Sequence, residues 1–336
     1  MFPKRLLLVI ALAAAPAAAL SAQEPEAGAP PSGVVPWAAS WSDETDDDVL
    51  REAVWTRVAS SRPPARPSVG LALSGGGARG FAHAGVLEAL EYAGFPIDEV
   101  SGTSMGSVIG SLYAAGTPVQ EIWKFGREAG RLKISRDFRN IRALGLLLAD
   151  KLLTPTHINS FIESHLGGKT FADLRIPFAC SAMDLRTGEK IIFTEGPLAI
   201  AVRASVDLPG IFAPVQYRHR YLVDGGVVDF IPVEAARQLG ADWVLASVTG
   251  SSQSRMPENV LMSLLQVIDI RGSLLAGAEE KEAGFVFKPE LGGVGVADFD
   301  KCEDAGEVGL LEASRRMNAA KEALLIYSAP KVVGKL

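Results

Sequence analysis

From Val69 onward the apolar positions fall into two alternating patterns. Short continuous apolar runs, the first being VGLAL at 69–73, read as strands buried on both faces, and the segments between them repeat apolar residues at helical spacing. The pattern predicts a strand at Val69–Leu73, a helix at Phe81–Tyr92, a strand at Ile97–Val100 and a helix at Met105–Ala115. Further strands are expected at Phe178–Met183, Lys190–Thr194, Tyr221–Val223, Trp243–Val248 and Phe285–Phe287. Helices fit His157–His165, Ala199–Ala204, Val233–Leu239, Val260–Leu275 and Ala305–Leu325. Such alternation is the sequence form of βαβ units, a sheet with helices packed on its faces.

Upstream the pattern changes. Lys4 and Arg5, the apolar stretch Leu6–Leu20 and the small residues near Ala19 and Ala22 have the layout of a secretory signal, so residues 1–22 are expected to be removed on export. The mature protein is then expected in the periplasm or outside the cell. Residues 23–66 contain a Pro/Ala-rich stretch, the acidic run SDETDD and SRPPARP, and are expected to form a flexible extension with a short helix around Val49–Ala59. The folded domain is placed at 67–328, with a tail at 329–336.

Composition narrows the function. At 336 residues, 48% hydrophobic and 21% charged, the chain has material for a large core. Loss of Lys4 and Arg5 with the signal would take the net charge from −6 to −8, which argues against nucleic-acid binding. Cys180 and Cys302 leave one disulfide open and make no framework, and with His83, His157, His165 and His219 they show no metal-ligand spacing.

Three glycine turns carry the chemistry. The first, SGGGARGF at 74–81, fits G-x-G-x-x-G after a strand, and its amides suit either a dinucleotide pyrophosphate or the oxyanion of acyl transfer. The second, GTSMG at 102–106, places Ser104 between Gly102 and Gly106 in the strand-turn-helix setting of a nucleophile elbow. In a dinucleotide fold an acid would end this strand, whereas Asp98 and Glu99 fall early and Ser104 stands at its end, which favours the oxyanion reading. No His follows His219, so the chain order Ser, Asp, His fails for Asp224 in the third turn, LVDGG at 222–226. Asp224 acting directly on Ser104 is the remaining option, and it requires a desolvated carboxylate.

Together GGGARG, GTSMG and DGG, in this order and spacing, resemble the patatin-like phospholipases, as do the segments AMDLRTGEKIIFTEG and VRASVDLPGIFAPV. The resemblance runs from about Ser68 to Leu325. It implies a three-layer α/β sandwich with a mainly parallel central sheet flanked by helices, and a serine lipid acyl hydrolase of phospholipase A or lysophospholipase type. By the same resemblance Ser104 is the nucleophile, Asp224 the base, and the amides around Gly75, Gly76 and Gly77 the oxyanion hole, with Arg79, Gly80, Gly102, Gly106, Gly225 and Gly226 as motif support. No metal or other cofactor is called for, and calcium dependence is not expected. Asp229 and Phe230 stand where the family often has Asn-Asn, and Asp207 where it usually has a small or apolar residue.

Other readings stay open at this point. His219 or His157 could serve a conventional Ser-His-Asp esterase, and a non-catalytic lipid or nucleotide binder would use the same loops without turnover. His83 reads as a packing or hydrogen-bonding residue, and Arg79 either orients its loop or meets a substrate phosphate. The expected partner is a lipid ester, with transient membrane-surface contact through RLKISRDFRNIRALGLLL at 131–148, which also reads as an ordinary cap helix.

Overall fold

The computed structural model describes residues 43–129, 155–250 and 260–333. The expected signal segment and the basic-apolar stretch 131–148 lie outside the described residues.

One sheet organises the molecule. Its strands are β1 (Val69–Leu73), β2 (Glu99–Thr103), β3 (Phe178–Asp184), β4 (Lys190–Phe193), β5 (Val215–Tyr217), β6 (Arg220–Asp224), β7 (Trp243–Ser247) and β8 (Phe285–Phe287). They run in the order β5-β6-β3-β2-β1-β7-β8, with β4 also paired to β3. The pairings β3-β2, β2-β1, β1-β7 and β7-β8 are parallel, and β4, β5 and β6 form the antiparallel part. The helices are α1 (Asp43–Ser60), α2 (Ala82–Tyr92), α3 (Met105–Ala114), α4 (Val119–Ala129), α5 (Thr156–Leu166), α6 (Leu198–Val206), α7 (Val233–Leu239), α8 (Val260–Glu279) and α9 (Cys302–Val333).

The period of two along each strand separates the layers. Val69, Leu71 and Leu73 of β1, with Trp243 and Leu245 of β7, face the larger core that holds α2, α3 and α9. Ala72, Val244 and Ala246 point to the other face, where they meet Ile231, Val233, Ala236 and Ala276 from α7, α8 and the turn before α7. Small residues let α7 approach closely: a Cβ on Gly70 would come within 2.7 Å of Ala241 and 3.0 Å of Ala236. The result is the expected three-layer α/β sandwich with a mainly parallel sheet.

Several boundaries differ from the sequence pattern. The short helix expected around Val49–Ala59 is longer, running from Asp43 to Ser60, and Trp55 and Val58 of α1 are buried, Trp55 against Phe95 at 5.2 Å between ring centroids. Strand β2 runs Glu99–Thr103 rather than Ile97–Val100, and the polar residues this brings into it are paired inside: Ser68 Oγ donates to Glu99 and Ser101 Oγ donates to the Pro232 carbonyl. Both cysteines are free and buried, so the disulfide left open by the sequence does not form. Among the described residues no helix is long and apolar enough to cross a membrane.

Candidate active site

Strands β1 and β2 pair in parallel, so the turns that follow them lie side by side at the carboxyl edge of the sheet. In the second turn Ser104 has φ 53° and ψ −125°, an uncommon conformation for a residue with a side chain. The sharp reversal needs its glycines: a Cβ on Gly102 would lie 2.4 Å from the Gly106 carbonyl oxygen, and one on Gly106 would lie 2.2 Å from that of Leu73. Ser104 is further fixed by its N–H, which donates to Ser205 Oγ on α6 at 2.9 Å, while Ser205 Oγ donates to the Ser181 carbonyl.

Across the site, Asp224 ends β6. Its N–H donates to the Asp207 carbonyl at 2.8 Å, and its Oδ1 accepts from Gly226 N–H at 2.8 Å. Gly225 lets the chain pass β3, since a Cβ there would meet the Ser181 carbonyl oxygen at 2.3 Å. This leaves Asp224 Oδ2 to accept the Ser104 hydroxyl at 2.6 Å, the contact between the two residues singled out by the sequence. Burial pushes the Asp224 carboxyl up to about 6, partly opposed by the hydrogen bonds from Ser104 and Gly226.

The glycine loop after β1 lies against the same serine. Its amides can be accounted for one by one. Gly75 N–H donates to the Phe230 carbonyl at 3.1 Å, Ala78 N–H to Val296 at 2.8 Å and Arg79 N–H to Gly76 at 3.2 Å. The amides of Gly76 and Gly77 have no partner among the described residues. The loop therefore offers two free donors in the pocket that Ser104 and Asp224 also line. Gly75, grouped with them by sequence, already uses its N–H to hold the loop against Phe230. Gly77 has φ +56°, and a Cβ there would meet the Val296 carbonyl oxygen at 2.3 Å, so the strap at 296 closes directly on the loop. Gly80 packs on the second turn, its Cβ position lying 2.5 Å from Met105 Cβ.

Neither His83 nor His219 is placed to pair with Ser104. His83 is buried, bonded through Nδ1 to Ser247 Oγ at 2.8 Å and through Nε2 to the Ser74 carbonyl at 2.9 Å, and burial lowers it to about 4. It is a neutral peg between β1 and β7. His219 is exposed in the β5-β6 hairpin, at the opposite end of β6 from Asp224, roughly 16 Å away along a strand. Arg79 is buried and paired with Asp269 of α8. Among the described residues no group of three His, Cys, Asp or Glu side chains is arranged to hold a metal ion.

Two cavities meet at Ser104. The one containing Asp224 and the glycine loop is closed by Leu208, Leu265, Ile268 and Val296. The other, of about 60 Å³, is almost wholly apolar and runs past Met105, Val108, Phe125, Phe161, Ile162 and Phe299. A larger groove of about 970 Å³ between α8, β8 and α9 contains neither Ser104 nor Asp224.

The sequence left several of these residues unmarked. Ser205 and Asp269 act through contacts far apart in the chain, and of the two only Ser205 lies in a stretch that carried the family resemblance. Helix α4 is absent from the helices the sequence pattern predicts, although Thr117–Pro118 is a helix-start signal followed by apolar Val119, Ile122 and Trp123 at helical spacing.

The fold and the paired turns define an α/β protein with a hydrolase-like serine elbow. Residues 71–237, which include all three glycine turns, match the family model for patatin-like phospholipase, the family that the motifs resemble. An uncharacterised NTE family protein of Mycobacterium tuberculosis is 37% identical over 192 residues, covering 56% of this chain and 51% of that protein. Lysophospholipase NTE1 of Pyricularia oryzae is 36% identical over 193 residues, 57% of this chain and 13% of its own length. The chain thus spans about half, or much less, of the curated relatives it matches. Among solved structures, VipD from Legionella pneumophila is similar with a TM-score of 0.45 at 14% identity, covering 79% of this chain and 67% of that one.

Proposed function

We propose that this chain is a serine lipid acyl hydrolase of phospholipase A or lysophospholipase type, with Ser104 as nucleophile and Asp224 as base. The observation that carries the reading is the 2.6 Å bond from Ser104 Oγ to a buried carboxylate, beside two free amides. The match of residues 71–237 to patatin-like phospholipase supports the substrate class.

Ser104 Oγ gives its proton to Asp224 as it attacks the ester carbonyl, and the amides of Gly76 and Gly77 hold the tetrahedral oxyanion. Collapse returns the proton to the leaving alkoxide and leaves an acyl-Ser104. Water then attacks the acyl carbon, giving its proton to Asp224, and a fatty acid departs as Ser104 is reprotonated. The apolar cavity past Val108 and Phe161 suits the acyl chain. Hydrolysis of a p-nitrophenyl acyl ester and of a labelled phospholipid by the purified protein tests the reading. Turnover of neither, with no labelling by a fluorophosphonate, would leave a binding role.

The pH dependence follows from Asp224. Only its ionised form can take the serine proton, so kcat/KM is expected to rise with pH through about 6, where a carboxylate of ordinary pKa would have placed the limb near 3.9. A profile flat from pH 5 to 8 would contradict this assignment.

Contact with a lipid surface is part of the proposal. Helix α8, whose Leu265 and Ile268 line the pocket, exposes Val267, Ile270 and Leu274 on its outer face, with Arg271 beside them. Replacing the three apolar residues by serine is expected to lower turnover of vesicle lipid several-fold while leaving a soluble ester unaffected. Equal rates on vesicles would remove this surface from the account. Export by way of residues 1–22 is likewise proposed, to be checked by the N-terminal residue of the protein recovered from the cell envelope.

A further inference from the structure

We infer that helix α8 sets the geometry of the glycine loop, with Asp269 and Glu279 as positioning residues that hold its two ends. The inference rests on the reading of the Gly76 and Gly77 amides as oxyanion donors.

Leu265, Asp269, Gly272, Ala276 and Glu279 recur at intervals of three and four and form one face of α8. At the far end of the loop, both terminal nitrogens of Arg79 donate to the two oxygens of Asp269, one at 3.2 Å, and the pair is buried, with 2% and 11% of the side chains exposed. The Arg79 Nε has no partner among the described residues, so direction comes from the fork to Asp269. At the near end the connection is indirect. Gly75 N–H donates to the Phe230 carbonyl, while the N–H groups of Phe230 and Ile231 donate to Glu279 at 3.2 and 2.7 Å.

Gly272 lets the helix sit directly on this link, since a Cβ there would come within 2.5 Å of the Phe230 ring. The same ring lies beneath Gly75. The two free amides are therefore bracketed by anchors from a single helix.

A buried ion pair is a costly way to hold a fold, because desolvating both charges offsets their attraction. A forked pair does, however, fix direction. Oxyanion donors act only when aimed at the position the charge will occupy, and small displacements are expensive in rate. Asp269 lines the pocket itself, so its bond to Arg79 is made at the site's wall. Nothing in the local sequence around Asp269 marks it for this role.

The test uses the purified full chain and a p-nitrophenyl acyl ester, with kcat and KM measured separately and thermal unfolding as the check on folding. Asp269→Asn is expected to lower kcat on the order of 10- to 100-fold with KM nearly unchanged, since the oxyanion forms only after binding. Asp269→Glu should restore part of the loss, and fluorophosphonate labelling should slow in parallel with kcat. Because Asp269→Asn leaves Arg79 buried without its counter-charge, the double variant Arg79→Met with Asp269→Leu removes both charges and should fold while keeping the low kcat. If neither folds, Glu279→Gln carries the test, with a several-fold fall in kcat expected.

Unchanged kcat in a folded variant, or a change confined to KM, would overturn the inference alone. A wild-type protein that turns over no ester and takes no fluorophosphonate would overturn the hydrolase reading and this inference with it.

Discussion

Ser104→Ala is expected to cut ester turnover by about 10³-fold or more, with the protein still folded and KM little changed. Only the hydroxyl is lost: the backbone at φ 53° and the N–H bond to Ser205 are indifferent to Oγ. What disappears is the atom that forms the acyl-enzyme, and any residual rate would come from water attacking an ester polarised by Gly76 and Gly77. Steady-state kinetics beside a thermal melt check this. Wild-type turnover in a folded Ser104→Ala protein would end the account of Ser104 as nucleophile.

Asp224→Asn is the second large effect. An amide keeps the shape and the turn at Gly226 but cannot accept the serine proton, so kcat should fall by about 10³-fold while substrate still binds. The same change should make the protein more stable. Burial lifts the folded pKa to about 6 from an ordinary aspartate value of 3.8, so the folded state binds this proton more tightly than the unfolded one. The resulting cost is absent below about pH 3.8, grows as pH rises, and is complete above about 6, where it is on the order of 3 kcal/mol by linkage. Denaturant midpoints at pH 8 should therefore be higher for Asp224→Asn than for wild type. Lower stability with full activity would contradict both halves.

Asp207 sharpens this picture. It is buried beside Asp224, neither of its carboxyl oxygens has a hydrogen-bond partner among the described residues, and burial pushes it up to about 7, with Arg203 opposing the rise and Asp224 adding to it. The Asp224 charge thus disfavours the ionised form of Asp207.

The sequence made the centre of the molecule legible because its constraints there are local. Strand β1 has the bounds its apolar run predicts, and each of the three turns needs glycine for a contact within a few residues or across one neighbouring strand. The α1 packing was hidden, since nothing around Trp55 says that Phe95 will lie beneath it. Strand β5 is only three residues long, and Gln216 interrupts its apolar run. The loop amides show the limit most clearly. GGGARG announces donors, but which of them are free depends on Phe230 and Val296, residues more than a hundred positions away.

The most direct test of the central claim is peptide mass spectrometry after brief treatment with a fluorophosphonate, run on wild type, Ser104→Ala and Asp224→Asn at pH 8. The account predicts one phosphonyl adduct on Ser104 in the wild type, none in Ser104→Ala and greatly slowed labelling in Asp224→Asn. An adduct on another serine, or labelling of Ser104 that does not depend on Asp224, would contradict it.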